Sequence, residues 1–150
     1  MALIVGAVLA LLVGAMATAV GLDRDRAMYP VVTLVVASYY VLFSAMGAST
    51  GILALEALAG AAFAIAAVVG FRSSLWIVVA ALAGHGVFDF VHDSVIHNPG
   101  VPHWWADFCG AYDVAAALYL AWLLGKRANQ AEKSSPTSRL ASGTATQATS

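Results

Sequence analysis

The run PVVTLVVASYYVLFSAMGASTGILALEALAGAAFAIAAVVGF, residues 30–71, carries a single charged residue, Glu56. A membrane-spanning helix takes about 20 mostly apolar residues, so this run is too long for one span and long enough for two. The break between them falls where small and polar residues gather, at Ala48-Ser49-Thr50 between Gly47 and Gly51. Outward from this run the same length criterion finds further spans near residues 2–21, 74–97 and 105–125. They are punctuated by Asp23-Arg24-Asp25-Arg26, by Arg72-Ser73-Ser74, and by Asn98-Pro99-Gly100 with Pro102. The expected fold class is all-α: a polytopic membrane protein with a five-helix transmembrane bundle.

Composition agrees. Of 150 residues, 61% are hydrophobic and 10% charged, against roughly a quarter charged in ordinary soluble domains, and the mean hydropathy is +0.84. Seven Lys and Arg offset eight Asp and Glu to a formal charge of −1. There is no basic stripe for a nucleic-acid partner, so no nucleic acid is expected. A lone cysteine, Cys109, closes no internal bridge.

The charges also orient the chain. With five spans, Arg24, Arg26, Arg72, Lys126, Arg127, Lys133 and Arg139 all fall on one side of the bilayer, which the positive-inside rule makes cytoplasmic. The N-terminus is then outside and the C-terminus cytoplasmic; four or six spans would split the basic residues. Ala15-Met16-Ala17 gives the first span a small-x-small, signal-like look, but the segment lacks a basic n-region and is longer than a signal core. Residues 1–127 read as the transmembrane domain. Residues 128–150, rich in Ser, Thr, Ala and Gln, read as a disordered cytoplasmic tail.

Ionisable groups within a membrane are costly and by default functional, and here they are lopsided. Glu56, Asp89, Asp93, Asp107 and Asp113, with all four histidines (His85, His92, His97, His103), fall in the outer half of the spans or in the outer loop. No Lys or Arg falls among them. Protonated carboxyls, imidazolium partners or a bound cation must therefore offset the charge. At 1.5 Å per residue, Asp89 and Asp113 both lie about 12 Å from the outer ends of their helices. His85, Asp89 and His92 recur at i, i+4 and i+7, one face of a helix, and Asp89-x-x-His92 has the spacing used in carboxylate–histidine bundle sites.

These residues suggest a divalent metal, zinc before iron, held by His85, Asp89 and His92 with help from Asp113 or Glu56. Three protein ligands leave an open position for Lewis-acid chemistry. Asp93, Asp107 or Glu56 would then serve as a catalytic carboxylate. The implied function is a metal-dependent hydrolase or isomerase acting on a lipophilic small molecule that enters from the lipid bilayer. Two other classes stay open: a proton or divalent-cation transporter, or a structural subunit, compatible with a homo-oligomer, whose polar cluster is packing glue.

Other features read more plainly. Trp104, Trp105 and His103 suit an interfacial belt, and Cys109 a small packing residue. Only one of Tyr39 and Tyr40 is expected to face the bundle interior. Gly84, Gly86 and Gly110 would let helices approach closely. Gly47-Ala48-Ser49-Thr50-Gly51 matches G-x-S-x-G, but without the strand-to-helix context of a nucleophile elbow.

The run Gly84-His85-Gly86-Val87-Phe88-Asp89-Phe90-Val91-His92-Asp93, followed by Asn98-Pro99-Gly100-Val101-Pro102 and Trp104-Trp105-x-x-Phe108-Cys109-x-x-Tyr112-Asp113, resembles a group of small bacterial integral-membrane proteins of unknown function. The shared pattern is HGxxDxxH followed by WWxxFCxxYD. The resemblance implies a multi-pass protein of the cell inner membrane and supplies no mechanism. Membrane di-iron desaturases use more histidine boxes than four histidines can fill. The zinc site of the alkaline-ceramidase and adiponectin-receptor superfamily needs an H-x-x-x-H pair on its last span, which is missing here.

Overall fold

The computed structural model describes residues 1–134. Five helices follow one another: α1 (Ala2–Val20), α2 (Met28–Gly47), α3 (Thr50–Arg72), α4 (Leu75–Val95) and α5 (Trp105–Ser134). Each is long and apolar enough to cross a membrane. Helical parts of all five form one compact unit, Met1–Leu120; the remainder of α5, from Ala121, forms a second.

Helix ends follow local chemistry. Gly21 terminates α1 in the left-handed conformation at φ 84°, which glycine adopts without steric cost. Ser49 caps α3 by accepting from the Ile52 amide at 3.3 Å, and Ser74 caps α4 by accepting from the Trp76 amide at 3.4 Å. The serine of the G-x-S-x-G match is thus a helix cap. Pro99 and Pro102 hold the chain out of helix between α4 and α5. At the opposite end Arg26 donates to the Ser73 carbonyl at 3.0 Å and to the Gly70 carbonyl at 3.4 Å, placing a cation on the negative end of α3. Asp23 is buried and accepts from Thr18 Oγ1 at 2.9 Å. The charged turn after α1 therefore ties helix ends together, beyond the orienting role its charges suggest.

The fifth helix runs past Arg127 to Ser134. Residues 128–134, expected to be disordered, are helical because Ala, Gln, Glu and Lys favour helix by propensity even at exposed positions. Within this second unit Lys126 Nζ lies 5.1 Å from the centroid of the Trp122 ring, a cation–π contact. The rest of the expected tail, 135–150, lies outside the described residues.

Packing places α4 at the centre. A Cβ on Gly86 would stand 2.8 Å from the Gly110 carbonyl oxygen, so α4 and α5 meet backbone to backbone. Gly6 of α1 sits more tightly still on the α5 backbone at Phe108, and Gly60 of α3 faces Ala37 of α2. Gly84 differs from expectation: it is exposed, and its nearest neighbour is Phe63 at 4.0 Å. It is two residues from Gly86, about 200° round the helix, and so turns away from α5.

The distribution of polarity is inverted relative to a soluble protein. Thr33, Ser44, Glu56, His85, Asp89, His92, Asn98 and Asp113 are buried, while Ile4, Leu12, Met46, Leu58, Ile65 and Leu118 are more than half exposed. An apolar outer surface around a polar interior is what a bilayer solvent selects.

Candidate metal centre

One face of α4 and the first turns of α5 build the site. His85 and Asp89 are one turn apart on α4, Cys109 and Asp113 one turn apart on α5, and the Gly86–Gly110 approach brings the two pairs together. One ligand atom from each of the four residues lies within 4.8 Å of the others, and all four residues are buried. His85 Nδ1 is 2.6 Å from Asp113 Oδ2 and 3.5 Å from Asp89 Oδ2. Cys109 Sγ is 3.9 Å from Asp113 Oδ2. The Phe63 ring packs edge-on to the His85 imidazole at 4.8 Å, fixing its plane.

The oxygens of this group are incompletely satisfied. Among the described residues neither Asp89 oxygen nor Asp113 Oδ1 accepts a well-formed hydrogen bond, although Tyr40, His85 and Cys109 all lie near the Asp89 carboxylate; Glu56 Oε2, outside the group, is in the same position. Buried carboxylate oxygens normally accept hydrogen bonds or bind a cation. Imidazole, thiolate and carboxylate are together the donor set of zinc, with iron a chemically acceptable second.

A second His–carboxylate pair lies beside the first. His92 Nε2 is 2.8 Å from Glu56 Oε1. Asn98 Nδ2 donates to the same oxygen at 2.9 Å and to Ser44 Oγ at 2.8 Å, and Asn98 Oδ1 accepts from the Gly100 amide at 3.1 Å. The Tyr40 ring stacks on His92 at 3.8 Å between centroids. This network ties α2, α3, α4 and the 96–104 loop together at one end of the bundle. Tyr40, Glu56 and His85 border a common gap with essentially no room for a water.

Measured against the sequence reading, the structure brings together His85, Asp89 and Asp113 and adds Cys109. His92, expected as the third α4 ligand, lies outside this group of four and pairs with Glu56 instead. At i+7 it is two turns along α4 from His85, and there α3 is the nearer carboxylate source. Asp93 and Asp107 are exposed, neither reaching the cluster. Asp93 pairs with His97 at 2.9 Å, both side chains more than four-fifths exposed, because it lies one position, about 100°, past His92. Trp104 is exposed as a belt residue would be, whereas Trp105 is buried, packed edge-on to Tyr39 and Phe43 with centroids 4.9 Å apart in each case. Of the adjacent tyrosines, Tyr40 is the buried one.

Cys109, read from sequence as packing, shares the one-turn spacing with Asp113 that could have marked it. Asn98 and Ser44 carried no such signal, since a loop amide and a helix hydroxyl acquire meaning only when the loop folds back over Glu56.

No family model, curated protein or solved structure matches the chain. Function is therefore read from the chemistry of the site itself.

Proposed function

We propose that this chain is a multi-pass protein of the cell inner membrane that binds one divalent metal ion, zinc first and iron second, through His85, Asp89, Cys109 and Asp113. The observation that carries the reading is the group of four buried ligand atoms within 4.8 Å, with three of its carboxylate oxygens accepting no well-formed hydrogen bond among the described residues. In this reading the basic residues lie in the cytoplasm, and the cluster belongs to the outer half of the bilayer.

The chemistry such an ion supplies when bound is polarisation of a carbonyl or activation of water, which fits a hydrolase or isomerase acting on a lipophilic small molecule. The chain's own contribution is placement. Phe63 orients His85, the Gly86–Gly110 approach sets the spacing between the two ligand pairs, and the apolar helices keep out bulk water. Of the four ligands, Cys109 is the one that also lines an apolar groove between α1, α2 and α5. It is the side from which a lipophilic molecule would approach.

Transport is the second reading, favoured by the His92–Glu56 pair beside a cleft of about 260 Å³ lined by His92, Asp93, His97 and His103. Beyond the cluster, toward the other end, the buried side chains of α4 and α5 include Leu75, Val78, Ala81, Leu82, Ala116, Ala117 and Leu120. The Thr33 hydroxyl there is occupied by the Tyr29 carbonyl at 2.9 Å. An apolar plug of this kind opposes a continuous proton or cation path, so the metal-enzyme reading is preferred.

Elemental analysis of the full chain, purified in detergent without a polyhistidine tag, tests the proposal. Near-stoichiometric zinc or iron is expected, lost in His85→Ala and Asp89→Ala proteins that stay folded and helical by circular dichroism. Folded wild-type protein without metal, even after reloading with zinc and with iron, would sink the proposal.

A further inference from the structure

Between α1, α2 and α5 lies a groove of about 290 Å³, lined by Leu9, Val31, Val35, Tyr39, Trp105 and Cys109 among others. Its volume is near the lower end for small-molecule sites, about 300 Å³, a size for one aliphatic chain and not for a two-chain lipid. Leu9, Val31 and Val35 are 41%, 53% and 46% exposed, so the groove opens sideways on the apolar outer surface. From Val31 to Tyr39 it follows α2 for about 12 Å.

Two observations make this more than an apolar crevice. First, Cys109 belongs both to the groove wall and to the metal group, so a molecule in the groove abuts the cluster. Second, Trp105, one helical turn before Cys109, is only 9% exposed, yet its indole Nε1–H has no acceptor among the described residues. Edge contacts with Tyr39 and Phe43 hold the ring in place. A buried indole N–H ordinarily finds an acceptor, and the other polar side-chain groups of the lining residues are only the Tyr39 and Tyr112 hydroxyls and the Cys109 thiol.

We infer that this groove is a binding site for a single-chain lipid bearing a carbonyl group, whose chain lies along Val31 and Val35 and whose oxygen accepts from Trp105 Nε1–H beside Cys109. The inference deepens the proposed function and rests on it for the meaning of the polar end: the carbonyl is the group a metal at the cluster would polarise. The chain enters sideways from the bilayer past Leu9 and Val31. No two-chain phospholipid fits whole, so the ligand is a free single-chain carbonyl compound.

The test is photolabelling of the full chain in phosphatidylcholine vesicles with a medium-chain methyl ketone carrying a diazirine at its alkyl end. The matching alkane diazirine is the control, and labelled residues are mapped by mass spectrometry. The ketone is expected to concentrate on Leu9, Val31 and Val35, with the alkane weaker there. Val35→Trp, a substitution at an exposed rim, should abolish this label by filling the groove. Trp105→Phe keeps an aromatic ring against Tyr39 and Phe43 and should reduce the label up to about tenfold, the cost of one hydrogen bond. Asp113→Asn should lose metal and keep the label, so failure of the metal reading and failure of the groove are separable. Equal labelling of Leu58 and Ile65 on the exposed face of α3, or equal labelling by ketone and alkane, would overturn the inference. So would a label insensitive to both Val35→Trp and Trp105→Phe in proteins that circular dichroism shows to be folded and helical.

Discussion

The two buried histidine–carboxylate pairs are close in geometry and differ in how far they are bonded: among the described residues one oxygen, Glu56 Oε2, accepts no well-formed hydrogen bond in the first, against three in the group around the second. His92–Glu56, at 2.8 Å, is tied into the bundle by Asn98 and Ser44. His85–Asp113, at 2.6 Å, sits beside Cys109 and beside Asp89, neither of whose oxygens accepts a well-formed hydrogen bond among the described residues. Helices in lipid gain little from the hydrophobic effect between them, and polar contacts then hold the bundle together. A pair joined to three elements serves that purpose. A group with three carboxylate oxygens short of a well-formed hydrogen bond is less complete, and a bound cation would complete it. On the proposed function the first pair is architecture and the second is the site.

Five substitutions separate the two roles. The largest effect is expected at the incomplete pair: Asp113→Asn should remove bound metal, while Glu56→Gln should retain it. A chelator should then lower the melting temperature of the Glu56→Gln protein and leave that of Asp113→Asn unchanged. Equal metal loss in both would erase the distinction. Next is the spacing between helices. Gly86→Val puts side-chain atoms where the Gly110 carbonyl and Val114 already lie and should cost about 1–3 kcal/mol along with most of the metal, read by thermal unfolding and elemental analysis. A Gly86→Val protein with full metal content would show that the ligands tolerate separation of α4 from α5.

Asn98→Ala comes third. It removes the amide shared by Glu56 and Ser44 and should cost about 1–2 kcal/mol, seen as a lower melting temperature at unchanged metal content. If metal fell in step with stability, the two pairs would be one unit. The smallest effect belongs to Asp93→Asn. Its partner His97 is exposed, and surface pairs contribute about 0–1 kcal/mol, so melting temperature and metal content should both stay near wild type. A metal-free Asp93→Asn protein would mean that this carboxylate reaches the cluster in solution.

Much of the site is legible in the sequence, and the reasons are periodic ones. His85, Asp89 and His92 share a face because a helix repeats every 3.6 residues, and Asp113 shares the depth of Asp89 because both helices rise by the same amount per residue. The same arithmetic does not tell which neighbouring helix each residue meets. It groups His92 with the metal ligands, whereas the carboxylate of α3 engages it. It sends Asp93 and Asp107 toward the cluster, whereas a turn of about 100° per residue exposes Asp93. It treats Trp104 and Trp105 alike, although adjacent helical positions cannot both face outward.

The primary structure alone dictates that there are five apolar helices, where they break, and that the four histidines and five of the eight acids collect toward one end with no Lys or Arg among them. Length and composition suffice for this, because a helix satisfies its own backbone hydrogen bonds and needs no distant partner to do so. Packing in three dimensions is what joins Cys109 to the ligand group, folds Asn98 back onto Glu56, and turns the Trp105 ring into a groove ending at the cluster. Those outcomes depend on the rotation and crossing of packed helices, which the Gly86–Gly110 and Gly6–Phe108 approaches fix, and side-chain spacing along a single helix carries no record of them.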